Sequence, residues 1–267
     1  DQIWNPLVAD ENFFLSFVSS DKKMAYAVSI GQEQLKENEI KYMKKYCDEF
    51  KFIGYREKQA YELLNNRFST DSNVVLDPTL LLTSEEWKID LKCEYSKRKY
   101  IFVYCLGDLS RYIEQINGIA DALELDIIYI SHTSLYTTNE NKKTWIDIES
   151  AGPLEFVSLI RDAQYIITDS FHATAFSLIF EKEFWDLKRD RENDKNSMNS
   201  RISSLLDILK INGRFVDEIS TNLLLENKID YIMVKNKLED LRKESIKNLK
   251  KYIFALGLLV MKKLFVK

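Results

Sequence analysis

Short apolar runs alternate with stretches of helical period along this chain, and that alternation is the tightest constraint on its fold. The run Met24-Ala-Tyr-Ala-Val-Ser-Ile30 reads as a buried strand ending at Gly31. Residues 32–49 read as a helix, with Leu35, Ile40, Tyr42 and Met43 set among charges. A strand at Phe52-Ile-Gly-Tyr55, a helix over 57–66 and a strand at Asn73-Val-Val-Leu76 follow, the last stopped by Asp77-Pro78. After a polar stretch at 84–99 the pattern restarts with a strand over 100–106, a helix over 109–123 and a strand over 126–130. Pro153 opens a helix that ends near Asp162; a strand over 164–168, a helix over 171–180, a strand over 184–187 and a helix over 196–210 come next. A long helical tail covers 236–264. Repeated strand–helix units predict an α/β protein with parallel sheets. The restart predicts two Rossmann-like lobes, 1–98 and 99–235, followed by a basic amphipathic segment, 236–267.

Composition narrows the function classes. The 38 Lys and Arg stand against 42 Asp and Glu, so no global basic field exists to hold nucleic acid. Glycine is scarce at 7 and proline at 3, which disfavours turn-dense all-β architectures. Three widely spaced cysteines (47, 93 and 105) and two histidines (132 and 172) form no CxxC, HExxH or His/Cys cluster. Neither a disulfide framework nor a metal site is expected, and a reducing cytoplasmic compartment fits. GxGxxG, GxxxxGK[ST] and GxSxG are all missing, which removes the usual signals for dinucleotide, P-loop and serine-hydrolase sites. The longest apolar run, 252–261, is half of what a membrane-spanning helix needs, about 20 residues.

The stretch 165–180 carries the strongest functional signal. A buried strand runs into Thr168, Asp169 and Ser170, and a helix begins at once. Open α/β sheets bind ligands outside the carboxyl ends of their strands. A helix N-terminus there offers unbonded N–H groups and a positive dipole end, which suits phosphate or carboxylate. His172 falls in the first helical turn, as an acid/base facing the cleft. The dipole alone disfavours its imidazolium, whereas a bound polyanion favours it. The same residues also read as plain caps, Ser170 or Asp169, beside a structural histidine. A second cluster, Lys188-Arg189-Asp190-Arg191 followed by Asn199-Ser200-Arg201, again follows a strand, and guanidinium groups match carboxylates and phosphates in fork geometry. A solvated charged loop is the alternative for most of it. Arg201 differs, because it opens an apolar-periodic helix with Ile202, Leu205 and Leu206. Arg56, at the strand end Gly54-Tyr55-Arg56-Glu57, reads on its own as an ordinary surface arginine, or as a cation reaching a ligand on the second lobe.

An ordered set of motifs resembles the polysaccharide pyruvyl transferases. The set comprises Asp1-Gln-Ile-Trp-Asn-Pro6, Ala25-Tyr-Ala-Val-Ser-Ile-Gly31, Gly54-Tyr-Arg-Glu57, Val75-Leu-Asp-Pro-Thr-Leu-Leu-Leu82, Ile167-Thr-Asp-Ser-Phe-His-Ala173 and Asn199-Ser-Arg-Ile202. The resemblance spans about 1–220. It implies a GT-B-like fold and transfer of pyruvate from phosphoenolpyruvate to two hydroxyls of one sugar. The product is a cyclic ketal on a cell-surface polysaccharide or its lipid-linked precursor. The family also has strands upstream of the first motif. The resemblance therefore implies that the first lobe lacks its N-terminal strands and that the chain is the later part of a longer protein. It implies His172 as general acid/base. Ser170 and the helix N-terminus would hold phosphate and Arg56 and Arg201 clamp the anion, with Asp169, Phe171, Arg189 and Asn199 completing the substrate site. No cofactor or metal is implied; phosphoenolpyruvate is a donor substrate.

The tail reads in two parts. From Lys228 to Lys267 there are 11 Lys and Arg against 4 Asp and Glu, leaving −11 on the rest of the chain. Residues 236–251 read as a closing helix packed back on the first lobe, burying one face. Residues 252–267 read as a membrane-surface helix at the inner face of the cell membrane, suited to a lipid-linked acceptor. Two other classes fit the pattern: a nucleotide-sugar glycosyltransferase of GT-B fold, and a non-catalytic scaffold of a polysaccharide assembly complex.

Overall fold

A helix between two strands carries the chain back to the end of the sheet where the first strand began, so neighbouring strands joined this way run parallel. Every strand pairing in the computed structural model is of that kind. The structure describes residues 4–6, 10–87, 94–130, 145–189, 199–222 and 228–255. They divide into two compact units.

Unit 1 takes residues 1–81, 193–204 and 236–267. Its three-stranded sheet has the order β1 (Ala25–Val28), β2 (Ile53–Tyr55), β3 (Ser72–Val74). Helix α1 (Glu37–Cys47) links β1 to β2, and α2 (Lys58–Leu64) links β2 to β3. The helix expected from residue 32 begins only at Glu37, where the Glu39 carboxylate reaches back and accepts the Lys36 N–H at 2.7 Å. Trp4, Phe14, Met43, Cys47, Ile53, Tyr55 and Leu64 form the core. Gly54 is needed inside β2: a Cβ would meet a Val75 methyl at 2.8 Å.

Unit 2 takes residues 82–192 and 205–235. Its six strands are β4 (Tyr100–Tyr104), β5 (Asp126–Tyr129), β6 (Ile146–Asp147), β7 (Tyr165–Thr168), β8 (Glu183–Leu187) and β9 (Phe215–Val216), in the spatial order β6-β5-β4-β7-β8-β9. The two-residue strands β6 and β9 lie at the edges, too short to leave a period in the sequence. Helix α3 (Ile113–Leu123), entered through a 3₁₀ turn at Ser110–Tyr112, follows β4. Helix α4 (Pro153–Asp162) precedes β7, and α5 (Phe171–Ile179) joins β7 to β8. Ile101, Val103, Ile116, Ile167 and Trp185 anchor the core.

A serial division at 98 and 235 differs from this one for a physical reason. Two later helices, α6 (Ser200–Leu209) and α7 (Tyr231–Ala255), give residues back to unit 1. Ser204 Oγ of α6 accepts the Lys58 N–H at the start of α2. Ser245 Oγ of α7 accepts the Leu76 N–H, and Arg242 Nε donates to the Leu80 carbonyl. The closing-helix reading of 236–251 matches these bonds. The membrane reading of 252–267 does not hold at its first residue. The Tyr252 ring stacks on Phe52 at 4.2 Å and 12°, and its hydroxyl donates to Asp71. Residues 256–267 lie outside the described residues, among which no helix is long and apolar enough to cross a membrane.

Tyr252→Ala removes a buried ring and the hydrogen bond to Asp71. It is expected to lower the stability of unit 1 by about 3 kcal/mol, read as the shift of its urea transition, while Tyr252→Phe keeps the stacking and most of that stability.

Candidate active site

The order β6-β5-β4-β7-β8-β9 starts in the middle, at β4, runs outward to β6, and then crosses to β7. The carboxyl ends of β4 and β7 therefore form a topological switch point, where the loops leave in opposite directions and open a crevice. Asp169 spans it. Its Oδ1 accepts the Leu106 N–H and its Oδ2 the Gly107 N–H, both at 2.7 Å, from the loop after β4. Thr168 Oγ1 donates to the Tyr104 carbonyl in the same crossing. Arg189, just past β8, pairs with the Asp169 carboxylate at 3.2 Å and donates to its carbonyl at 2.9 Å. A Cβ on Gly107 would meet Arg189 Cγ at 2.7 Å, so only glycine fits beneath that guanidinium stem.

Ser170 takes the N-cap position of α5, with extended backbone, but its hydroxyl makes no capping bond. The expectation that Ser170 or Asp169 caps the helix is thus corrected: the Asp169 carboxylate turns to the β4 loop and to Arg189. Ser170 and His172 line a cavity of about 480 Å³. Its other walls are aromatic and aliphatic, including Trp87, Tyr104, Phe156 and Phe176. Trp87 meets Phe176 edge-on at 4.9 Å, as Tyr104 does Phe156. Phe171 is buried, its ring perpendicular to that of His172 at 5.5 Å. The result is an apolar pocket with polar groups converging at one end, where a helix begins.

A second polar cluster occupies the strand ends of unit 1. Arg56 is buried and not at the surface. Its Nη1 donates to Asp77 Oδ2 at 3.1 Å, and its Nε lies 3.8 Å from Glu57 Oε1. Asp77 Oδ1 accepts the N–H and hydroxyl of Thr79. Ser29 donates to Glu57. Burial pushes the Glu57 carboxyl up, against the pull of Arg56, Ser29 and Arg201. Arg201 is buried in the first turn of α6, and the carbonyl of Asn199 accepts the N–H groups of Ile202 and Ser203.

The nominated residues thus fall into two groups: Asp169, Ser170, Phe171, His172 and Arg189 in unit 2, and Arg56, Asn199 and Arg201 in unit 1. Arg191 and His132 lie outside the described residues. Among the described residues no cluster of three or more His, Cys, Asp or Glu is placed to hold a metal. Sequence reasoning missed Ser29, Glu57 and Asp77 as partners of Arg56, the aromatic walls around His172, and Asp186. The available signal for Asp186 was a single charge inside the apolar strand Phe184-Trp185-Asp186-Leu187. Asp186 is wholly buried, Thr174 Oγ1 lies 2.6 Å from its Oδ1, and burial pushes its carboxyl well above the usual range.

Asp169→Ala strands a largely buried guanidinium and two loop N–H groups. The expected cost to unit 2 is about 3 kcal/mol, measured as a shift of its urea transition, with Asp169→Asn falling between that variant and the parent.

Two solved structures of the UDP-GlcNAc 2-epimerase from Methanocaldococcus jannaschii are similar in fold. One, in complex with UDP-GlcNAc and UDP, shows 17% identity and a TM-score of 0.50, covering 87% of this chain and 67% of that one. The other shows 17% identity and a TM-score of 0.51, covering 85% of this chain and 67% of that one. These likenesses speak for the fold class: α/β, GT-B-like, with Rossmann-like units and parallel sheets. No curated protein matches the chain. The family model for polysaccharide pyruvyl transferase matches residues 2–185, a span that takes in the strand ends of unit 1 and the Asp169–His172 turn of unit 2, and on that match the chain belongs to the polysaccharide pyruvyl transferase family.

Proposed function

We propose that this protein transfers the pyruvyl group of phosphoenolpyruvate to two hydroxyls of one sugar in a polysaccharide or its lipid-linked precursor. The observation that carries the reading is the start of α5. It is a helix N-terminus without a side-chain cap, with Ser170 and His172 on the wall of a cavity at the β4/β7 switch point. Phosphoenolpyruvate presents a phosphate and a carboxylate. The start of α5, with the positive end of its dipole, stabilises such an anion, and Ser170 adds a hydroxyl. The apolar walls lower the local polarity and strengthen those interactions.

The reaction needs a proton at the vinyl CH2 while the first sugar hydroxyl adds to the central carbon. The second hydroxyl then displaces phosphate from that carbon, closing the ketal ring. Each hydroxyl loses one proton; one ends on the new methyl group and one leaves with phosphate. His172, in the first turn beside the anion, is the group that gives and takes these protons. A bound polyanion favours its imidazolium, the form that can donate. Arg56 and Arg201 are assigned to anionic groups of the substrate on the same reading, with Asp77 and Glu57 fixing the direction of the Arg56 guanidinium. The protein is placed in the cytoplasm, where phosphoenolpyruvate is formed, with residues 256–267 as its contact to an anionic membrane surface.

His172→Ala is expected to lower kcat by at least about 100-fold in phosphoenolpyruvate-dependent phosphate release, with an unchanged circular dichroism spectrum. Near-parental turnover overturns the assignment. Acceptors are a panel of galactosyl and N-acetylhexosaminyl glycans. Binding of a UDP-sugar with no phosphate release from phosphoenolpyruvate favours a glycosyltransferase instead. Removal of 256–267 is expected to lower binding to anionic vesicles while leaving turnover on a soluble acceptor in place; equal vesicle binding sinks the membrane assignment.

A further inference from the structure

We propose that Asp186 is a neutral carboxylic acid that positions Ser170 and the first turn of α5 by donating its proton to Thr174. The argument is a count of protons. Thr174 Oγ1 lies 2.6 Å from Asp186 Oδ1 and 3.0 Å from the Ser170 carbonyl oxygen. A threonine hydroxyl has one proton and can donate once. With an ionised Asp186, that proton goes to one oxygen and leaves the other facing Oγ1 with nothing between them. With Asp186 protonated, the carboxyl O–H donates to Thr174 and the Thr174 hydroxyl donates to Ser170, so both separations are hydrogen bonds.

The surroundings agree. Asp186 Oδ2 is buried without a hydrogen-bond partner, which is costly for a charged oxygen and tolerable for the carbonyl of an acid. The ionisable groups facing it are Asp169 after β7 and Cys105 after β4, and the Asp169 charge opposes a second one. The Arg189 guanidinium is engaged by Asp169. On the β9 side Arg214 accepts the Asp186 N–H with its carbonyl, while its guanidinium goes to Glu183 and the Phe184 carbonyl. On α5 the one ionisable residue is His172, which lines the cavity.

The consequence is local. The Ser170 N–H is held by Thr168 Oγ1 at 3.0 Å, and its carbonyl by the Thr174 N–H and hydroxyl. The residue that begins α5 is thereby pinned from both sides, with Asp186 as the buried anchor of one of them. Asp186 acts through Thr174 and touches no reacting atom; it is a positioning residue.

Three measurements test this without substrate. Infrared difference spectra of the parent against Asp186→Asn, at neutral pH, are expected to show a carboxylic-acid carbonyl band that the variant lacks; a carboxylate band in its place overturns the proposal. Amide exchange in the peptide over 170–176 is expected to quicken about 10-fold in Thr174→Val and in Asp186→Val, but not in Asp186→Asn, whose amide still donates. Unchanged exchange in Thr174→Val refutes the positioning role. The folded state keeps a proton that the unfolded chain releases above about pH 4, so the parent loses stability as pH rises from there toward the raised value. Asp186→Asn is expected to lack that decline, and a parallel decline in both proteins refutes the shared proton. One further arm rests on the proposed reaction: Thr174→Val raises KM for phosphoenolpyruvate about 10-fold with a smaller change in kcat, in accord with the roughly tenfold looser turn. A parent without turnover defeats the reaction and leaves the infrared and exchange outcomes to decide on Asp186.

Discussion

The carboxylate of Asp169 is the interaction on which the site in unit 2 depends. Two backbone N–H groups from the loop after β4 and the Arg189 guanidinium from the end of β8 converge on it. A parallel sheet leaves its strand ends unconnected, and loops that leave a switch point in opposite directions have no bond in common. A single carboxylate following β7 supplies one. Its acceptors are used by these donors, so the position that could have capped α5 is left to Ser170, whose hydroxyl caps nothing. The constraint that stabilises the crevice is therefore also what leaves a helix N-terminus available at its floor.

The sheet pattern was legible because burial leaves a record. Tyr100-Ile-Phe-Val-Tyr104 and Tyr165-Ile-Ile-Thr168 are apolar on both faces, as central strands of a covered parallel sheet must be. The edge strands Ile146–Asp147 and Phe215–Val216 leave no mark in the sequence because two residues carry no period. The start of α1 lies later than periodicity predicts for a related reason. Periodicity marks a buried face, whereas at the terminus one carboxylate, Glu39, accepts the Lys36 N–H. Membership of residues in a unit was harder still. Arg201 and Ser204 belong with unit 1 through the Ser204–Lys58 bond, a partnership over more than a hundred residues that local sequence does not encode.

The candidate site is legible in outline as a strand-to-helix junction. The strand-to-helix junction at Asp169-Ser170-Phe171-His172 stands out in the sequence because a polar turn interrupts two apolar elements. What each residue does there depended on which donors came near. Asp169 and Ser170 are neighbours with similar capping propensity, yet one became a clamp and the other a cavity wall. Arg56 shows the same limit from the opposite side. An arginine at a strand end reads as solvated unless its partners are known, and Asp77, which holds it buried, lies 21 residues away.

Asp169 and Asp186 together show how two neighbouring strands treat two acids differently. The first is surrounded by donors: two N–H groups and a guanidinium. The second has a hydroxyl at one oxygen and no partner at the other. The Asp169 charge opposes a second one on Asp186, which lacks the donors that surround Asp169. The charged acid ties the strand ends together across the crevice. The neutral one turns inward and, through Thr174, fixes the carbonyl of Ser170. Dividing the roles in this way places a fixed cation–anion pair on one side of the α5 turn and an uncharged anchor on the other. On the proposed function, an anion at the helix N-terminus meets repulsion from neither buried acid: Asp169 is offset by Arg189, and Asp186 holds its proton.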